Sequence, residues 1–128
     1  MSEKIEILLF EDNLGDTILI KEMLDEFAGF PYELINVKTL NEGLSLLKRR
    51  LFDVILTDLS LPDSDGIDTF LKIHAKNSRI PIIILTGSNY NEIGIDAVKK
   101  GAQDYLVKGQ IDGKLLKSSI QYSIERKR

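Results

Sequence analysis

Short apolar runs alternate with amphipathic stretches along the chain, and that alternation sets the fold class. Ile5–Phe10 is short, continuous and apolar, as expected of a strand buried on both faces. From about residue 15 to 27, Ile18, Ile20, Met23, Leu24 and Phe27 recur at helical spacing, and Gly29 and Pro31 stop that helix. Tyr32–Val37 is a weaker, partly polar strand suited to a sheet edge. Thr39 or Asn41 can cap a second helix through residue 49, with Leu44, Leu47 and Leu51 facing inward. A third strand follows at 53–57, then the turn cluster Pro62-Asp63-Ser64-Asp65-Gly66. A third helix over 68–76 carries Phe70, Leu71 and Ile73 as its apolar residues. Pro81 opens a strand over 82–85, and a short helix over 92–100 ends at Gly101, a residue suited to a left-handed C-cap. The fifth strand is 103–107, and Asp112 can cap a final helix. Five strands alternating with five helices argue for an α/β fold, a doubly wound parallel sheet with right-handed crossovers.

The polar residues that close the apolar runs gather at one edge of such a sheet. Glu11 and Asp12 follow the first run, Asp58 the third, Thr86 and Gly87 the fourth, and Lys108 the last. In an open parallel sheet, ligands bind outside the carboxyl ends of the strands, at the switch point of strand order. In the flavodoxin-like order 2-1-3-4-5, strands one and three are neighbours about 5 Å apart, which brings Glu11, Asp12 and Asp58 together. Three carboxylates this close repel one another unless a cation is present. Magnesium suits them, because it takes oxygen ligands in near-octahedral geometry and keeps several waters. Asp58 could then attack phosphorus to form an acyl phosphate. The metal and the Lys108 ammonium would neutralise the transferring oxygens, the Thr86 hydroxyl could donate to one of them, and Gly87 leaves room beside it. Taken singly, each residue is commonplace: a solvated acid, a surface lysine, a strand threonine satisfied by backbone. Their joint placement carries the reading.

Composition narrows the classes further. The chain has 128 residues, enough for one domain that needs neither disulfides nor structural metal. It contains no cysteine, which excludes a disulfide framework, a thiolate metal site and a cysteine nucleophile. A net charge of −3 gives no sign of nucleic-acid binding. No apolar stretch approaches the roughly 20 residues of a membrane helix. Met1-Ser2-Glu3-Lys4 leads straight into the first strand without a signal-peptide apolar region, so a cytoplasmic domain is expected.

Four motifs in order now carry a resemblance. Glu11-Asp12, Asp58-Leu59-Ser60-Leu61-Pro62-Asp63-Ser64-Asp65-Gly66, Thr86-Gly87 and Gly101-Ala102-Gln103-Asp104-Tyr105-Leu106-Val107-Lys108 resemble the receiver domain of two-component response regulators. The resemblance covers essentially the whole chain. It implies phosphorylation of Asp58 by a histidine kinase or histidine phosphotransfer protein. It implies that Glu11, Asp12 and Asp58 hold Mg2+ (or Mn2+) with the backbone carbonyl of Ser60, and that Thr86 and Lys108 contact the phosphoryl group. It also implies a switch, since phosphorylation adds about −1.5 to −2 of charge. Thr86 would move toward the phosphoryl group, Tyr105 would rotate inward, and helix four and strand five would present an altered face to a partner. Such a domain promotes its own phosphorylation and slow dephosphorylation and is not a conventional enzyme. A homodimer through helix four, strand five and helix five is common in the family, although no residue here specifies one.

Two departures stand out. The family usually has proline after the lysine, often with a cis bond, and here the position is Gly109. A non-proline cis peptide costs about 2.5–4 kcal/mol, so a trans bond and a more mobile loop are expected. Ser60 and Ser88 occupy the positions two beyond Asp58 and Thr86 that tune access of hydrolytic water in the family. In the final helix Leu116, Ile120 and Ile124 recur at helical spacing, and Glu125-Arg126-Lys127-Arg128 carries no glycine stop. Residues 1–128 are expected to form a single receiver domain whose last helix, from about 112, either leads into a C-terminal output module or frays at a natural terminus. Its basic end reads as a solvated tail rather than a nucleic-acid patch. A flavin-binding flavodoxin would need an uncharged phosphate-cradling first loop, and Glu11-Asp12-Asn13-Leu14-Gly15-Asp16 has the wrong charge. An aspartate-nucleophile phosphatase would place a second carboxylate where Ser60 stands. A non-phosphorylatable interaction module is the third alternative, though no group essential to the chemistry is missing. His74 is assigned to the solvated face of the third helix without a role, and Asp63, Asp65 and Gly66 to shaping the loop after Asp58.

Overall fold

The computed structural model describes residues 4–87 and 91–127. Ser88, Tyr90 and Arg128, the first two beside the Thr86-Gly87 motif, lie outside the described residues, as do Met1-Ser2-Glu3. In chain order the elements are β1 (Ile5–Phe10), α1 (Leu14–Phe27), β2 (Tyr32–Val37), α2 (Leu40–Leu47) and β3 (Val54–Asp58). The short strands β4 (Ser60–Leu61) and β5 (Ser64–Asp65) precede α3 (Ile67–Lys76). Then come β6 (Ile82–Thr86), α4 (Asn91–Lys99), β7 (Asp104–Val107) and α5 (Gly113–Lys127). Five strands form one parallel sheet in the order β2-β1-β3-β6-β7, the doubly wound arrangement expected from the sequence. The predicted turn cluster after Asp58 is itself a small antiparallel hairpin, β4 with β5.

The continuous apolar strands bury both faces, as a parallel sheet covered by helices requires. Leu8, Phe10, Ile55, Ile82 and Ile84 pack on one face with Leu40 and Leu47 of α2, Phe70 and Ile73 of α3, and Ala97 of α4. The alternate residues Ile7, Leu9, Val54, Leu56, Ile83 and Leu85 pack on the other with Ile20 and Leu24 of α1 and Leu116 and Ile120 of α5. β2 is the polar edge strand the sequence predicts.

The caps follow local chemistry. Thr39 Oγ1 accepts from the Glu42 N–H at 3.1 Å and Asp112 Oδ1 from the Leu115 N–H at 2.8 Å. Gly101 ends the α4 segment at φ 122°, a conformation that disfavours any side chain. Three expectations are corrected. α2 ends at Leu47 rather than at 49, and Leu51 lies beyond it, 72% exposed, instead of facing inward. Ile18 of α1 and Leu71 of α3, two of the apolar residues at helical spacing, are exposed as well. His74 is not on a solvated face: it is half-buried, stacked on Phe70 at 5.2 Å between ring centroids, and its ring lies against Gly101.

Candidate functional site

Strand register brings the polar ends to one edge of the sheet. Phe10 pairs with Thr57, Asp58 with Leu85, and Thr86 with Val107, so Glu11 and Asp58 leave neighbouring strands at one level, and Lys108 leaves β7 two residues further on, across β6. Glu11 is fixed from several directions. Its N–H donates to the Val37 carbonyl at 2.9 Å, and the Asn36 side-chain amide donates to its carbonyl at 3.1 Å. Glu11 Oε2 accepts from the Asn13 N–H at 3.1 Å. Oε1 is buried and accepts no directed hydrogen bond among the described residues, although the Lys108 ammonium lies 2.7 Å away as an ion pair. Burial pushes the Glu11 carboxyl above its ordinary pKa, against the lowering influence of Lys108.

Lys108 is the centre of the cluster. Its backbone N–H donates to the Thr86 carbonyl at 2.7 Å, which continues the β6–β7 pairing past the strand end. Its ammonium donates to Asp16 Oδ2 at 2.8 Å and to Asp58 Oδ2 at 2.7 Å, beside Glu11. Burial opposes the lysine charge, but the hydrogen bonds to Asp16 and Asp58 and the ion pair with Glu11 outweigh it and hold the pKa well above the usual lysine range. Asp58 is half-buried, and its other oxygen, Oδ1, accepts from the Ser60 N–H at 3.1 Å.

Glu11, Asp12 and Asp58 each offer an oxygen, and these oxygens lie within 4.8 Å of one another. Hard carboxylate donors, one of them a buried oxygen without a directed partner, fit an oxygen-seeking divalent cation. Thr86 is buried at the end of β6, and its hydroxyl donates to the Leu106 carbonyl at 3.5 Å. Tyr105 is half-buried in β7, with its ring against Gly94 of α4. Ser60 is exposed and meets Asp58 through its N–H. Sequence reasoning passed over Asp16. The available signal was local: Asn13 caps α1 by accepting from the Asp16 N–H at 2.9 Å, and that spacing sets Asp16 in the first turn, beside the end of β1.

The sequence matches the response regulator receiver domain over residues 7–120. The chain belongs to that family. This receiver domain is 32% identical over 105 residues to the transcriptional regulatory protein ZraR of Salmonella typhimurium, across 82% of the chain and 23% of ZraR. It is 33% identical over 104 residues to the transcriptional regulatory protein CiaR of Streptococcus pneumoniae, across 81% of the chain and 45% of CiaR. The chain thus spans a quarter to a half of the length of these relatives. Among solved structures, a receiver domain protein from Clostridium thermocellum superposes with a TM-score of 0.80 at 32% identity, covering 95% of each chain. The receiver domain of the sensor histidine kinase PA1611 from Pseudomonas aeruginosa has a TM-score of 0.80 at 30% identity, covering 96% of this chain and 99% of that one. That domain carries a magnesium ion in its active-site cleft. Among the described residues, no helix of this receiver domain is long and apolar enough to cross a membrane.

Proposed function

We propose that Asp58 is the phosphoacceptor of this receiver domain, taking a phosphoryl group from a histidine kinase or histidine phosphotransfer protein of a two-component system. The observation that carries the reading is the setting of Asp58, with the Lys108 ammonium 2.7 Å from one oxygen and two further carboxylates beside it. A carboxylate oxygen of Asp58 attacks phosphorus. The bond from phosphorus to the donor breaks, and the donor leaves with the electron pair. Glu11, Asp12 and Asp58 would hold Mg2+ with the Ser60 carbonyl, and that ion supplies charge neutralisation at the transferring oxygens. Lys108 neutralises a further oxygen, and the Thr86 hydroxyl exchanges its long bond to Leu106 for one to the phosphoryl group.

The added charge is then read by Thr86 and Tyr105, and the α4–β7 face changes. Phosphorylation and slow hydrolysis both occur on the domain's own aspartate, so it acts as a switch. In this reading residues 1–128 work as one receiver unit in the cytoplasm, with α5 as the link to an output module.

Incubation with Mg2+ and acetyl phosphate, followed by intact mass, tests the assignment. We expect one added phosphoryl group, dependent on Mg2+ and lost in Asp58→Asn. A folded protein that gains no mass, or an Asp58→Asn protein that gains as much, would overturn it. Binding of a beryllofluoride mimic provides a second readout with the same control.

A further inference from the structure

The Lys108 ammonium meets three carboxylates, and of these Asp16 alone lies outside the trio that can share a metal ion. We propose that Asp16 is a positioning residue that keeps Lys108 in place when Mg2+ engages Glu11 and Asp58, an inference that rests on the receiver reading above. A lysine ammonium has three N–H donors and no other means of anchoring its end. A cation bound to oxygens of Glu11 and Asp58 competes for the negative charge that now holds Lys108. Asp16 is the partner left to it. Its side chain is 38% exposed against 1% for Glu11, so it contacts the ammonium from the solvent side of the cluster.

Asp16 is itself well fixed. Its N–H donates to Asn13 Oδ1 at 2.9 Å in the first turn of α1, where a negative charge is favoured by the helix dipole. The requirement arises from this chain's own loop. Gly109 follows Lys108, is exposed, and would have nothing within 4 Å of an added Cβ. The backbone there is held by the Lys108 N–H to Thr86 and by a turn in which the Gln110 N–H donates to Val107 at 2.9 Å. Beyond those bonds glycine leaves the backbone free. A carboxylate gripping the far end of the side chain restores the order that the backbone does not supply.

The test compares Asp16→Ala and Asp16→Asn in the parent and in a Gly109→Pro background. Two quantities are followed: the rate of Mg2+-dependent phosphorylation by acetyl phosphate, and the Lys108 side-chain NH3+ resonance of the metal-free protein. Asp16→Ala is expected to slow phosphorylation about fivefold, the scale of a partly exposed ion pair. With the backbone stiffened by proline, the loss should shrink to less than about twofold. Asp16→Asn should fall between, because it keeps an acceptor oxygen without the charge. The Lys108 resonance should shift in Asp16→Ala. Equal rates in parent and Asp16→Ala, or an unmoved resonance, would overturn the proposal. If the parent itself failed to accept a phosphoryl group, the receiver reading would fall, and the metal-free resonance would still decide whether Asp16 holds Lys108.

Discussion

Single residues in this domain are set by what touches them more than by intrinsic preference. Gly94 lies inside α4, where glycine ordinarily costs about 1 kcal/mol relative to alanine. An added Cβ would come within 2.7 Å of Tyr105 Cδ2, so the glycine makes room for the ring. Tyr105 is only half-buried and can swing away. Gly94→Ala is therefore expected to turn the Tyr105 ring outward with little loss of stability, seen as a shift of its ring resonances. In the receiver reading the same variant should still accept a phosphoryl group while binding its partner more weakly, as Tyr105→Ala should. An unmoved ring would show that α4 yields instead. The motif marks Tyr105 in the sequence, but the glycine beneath it is invisible there. Periodicity assigns a residue to a face and does not say which ring fills the space opposite.

At the level of elements, what was legible follows from what is local. Apart from the partly polar edge strand β2, the strands of the main sheet are short apolar runs, and their residues appear almost where the pattern sets them. The β4–β5 hairpin was not foreseen, because two-residue strands built from Ser60, Leu61, Ser64 and Asp65 have no hydrophobic period. Asp63 shows the same limit. Its carboxylate accepts from the N–H groups of Leu40 at 2.8 Å and Asn41 at 3.0 Å, so the hairpin turn caps α2 from 23 positions away. Burial works to raise this carboxyl, but the two backbone donors prevail and hold its pKa below the ordinary value. Stability from a lowered carboxyl is complete above its unfolded pKa, about 3.9, and disappears as pH falls through the lower folded value. Asp63→Ala should therefore lower the urea midpoint at neutral pH, with a deficit that narrows below about pH 4. A deficit that stayed constant into acid would argue against the cap.

For the whole molecule, the site is an electrostatic problem with one internal answer. Lys108 is the only cation among the described residues within ion-pair distance of Glu11, Asp16 and Asp58. Removing it as Lys108→Ala leaves a buried carboxylate without compensation, and a loss of about 3 kcal/mol is the scale of a broken buried pair. We expect a lower Tm in the metal-free variant and a larger gain from Mg2+ than in the parent, by linkage. Equal Mg2+ shifts in both proteins would mean that the metal and Lys108 do not share the same charges.

The Lys108 contacts also span the chain: 92 positions separate Lys108 from Asp16, and 50 separate it from Asp58. Parallel sheets rich in such distant contacts form slowly, because loop closure precedes the gain from contact. The acids at the ends of β1 and β3 are synthesised before β7 brings the base to them. A chain still emerging from the ribosome thus holds the acceptor aspartate without the lysine that completes its site. In the receiver reading, completion of folding would then be a condition for phosphorylation.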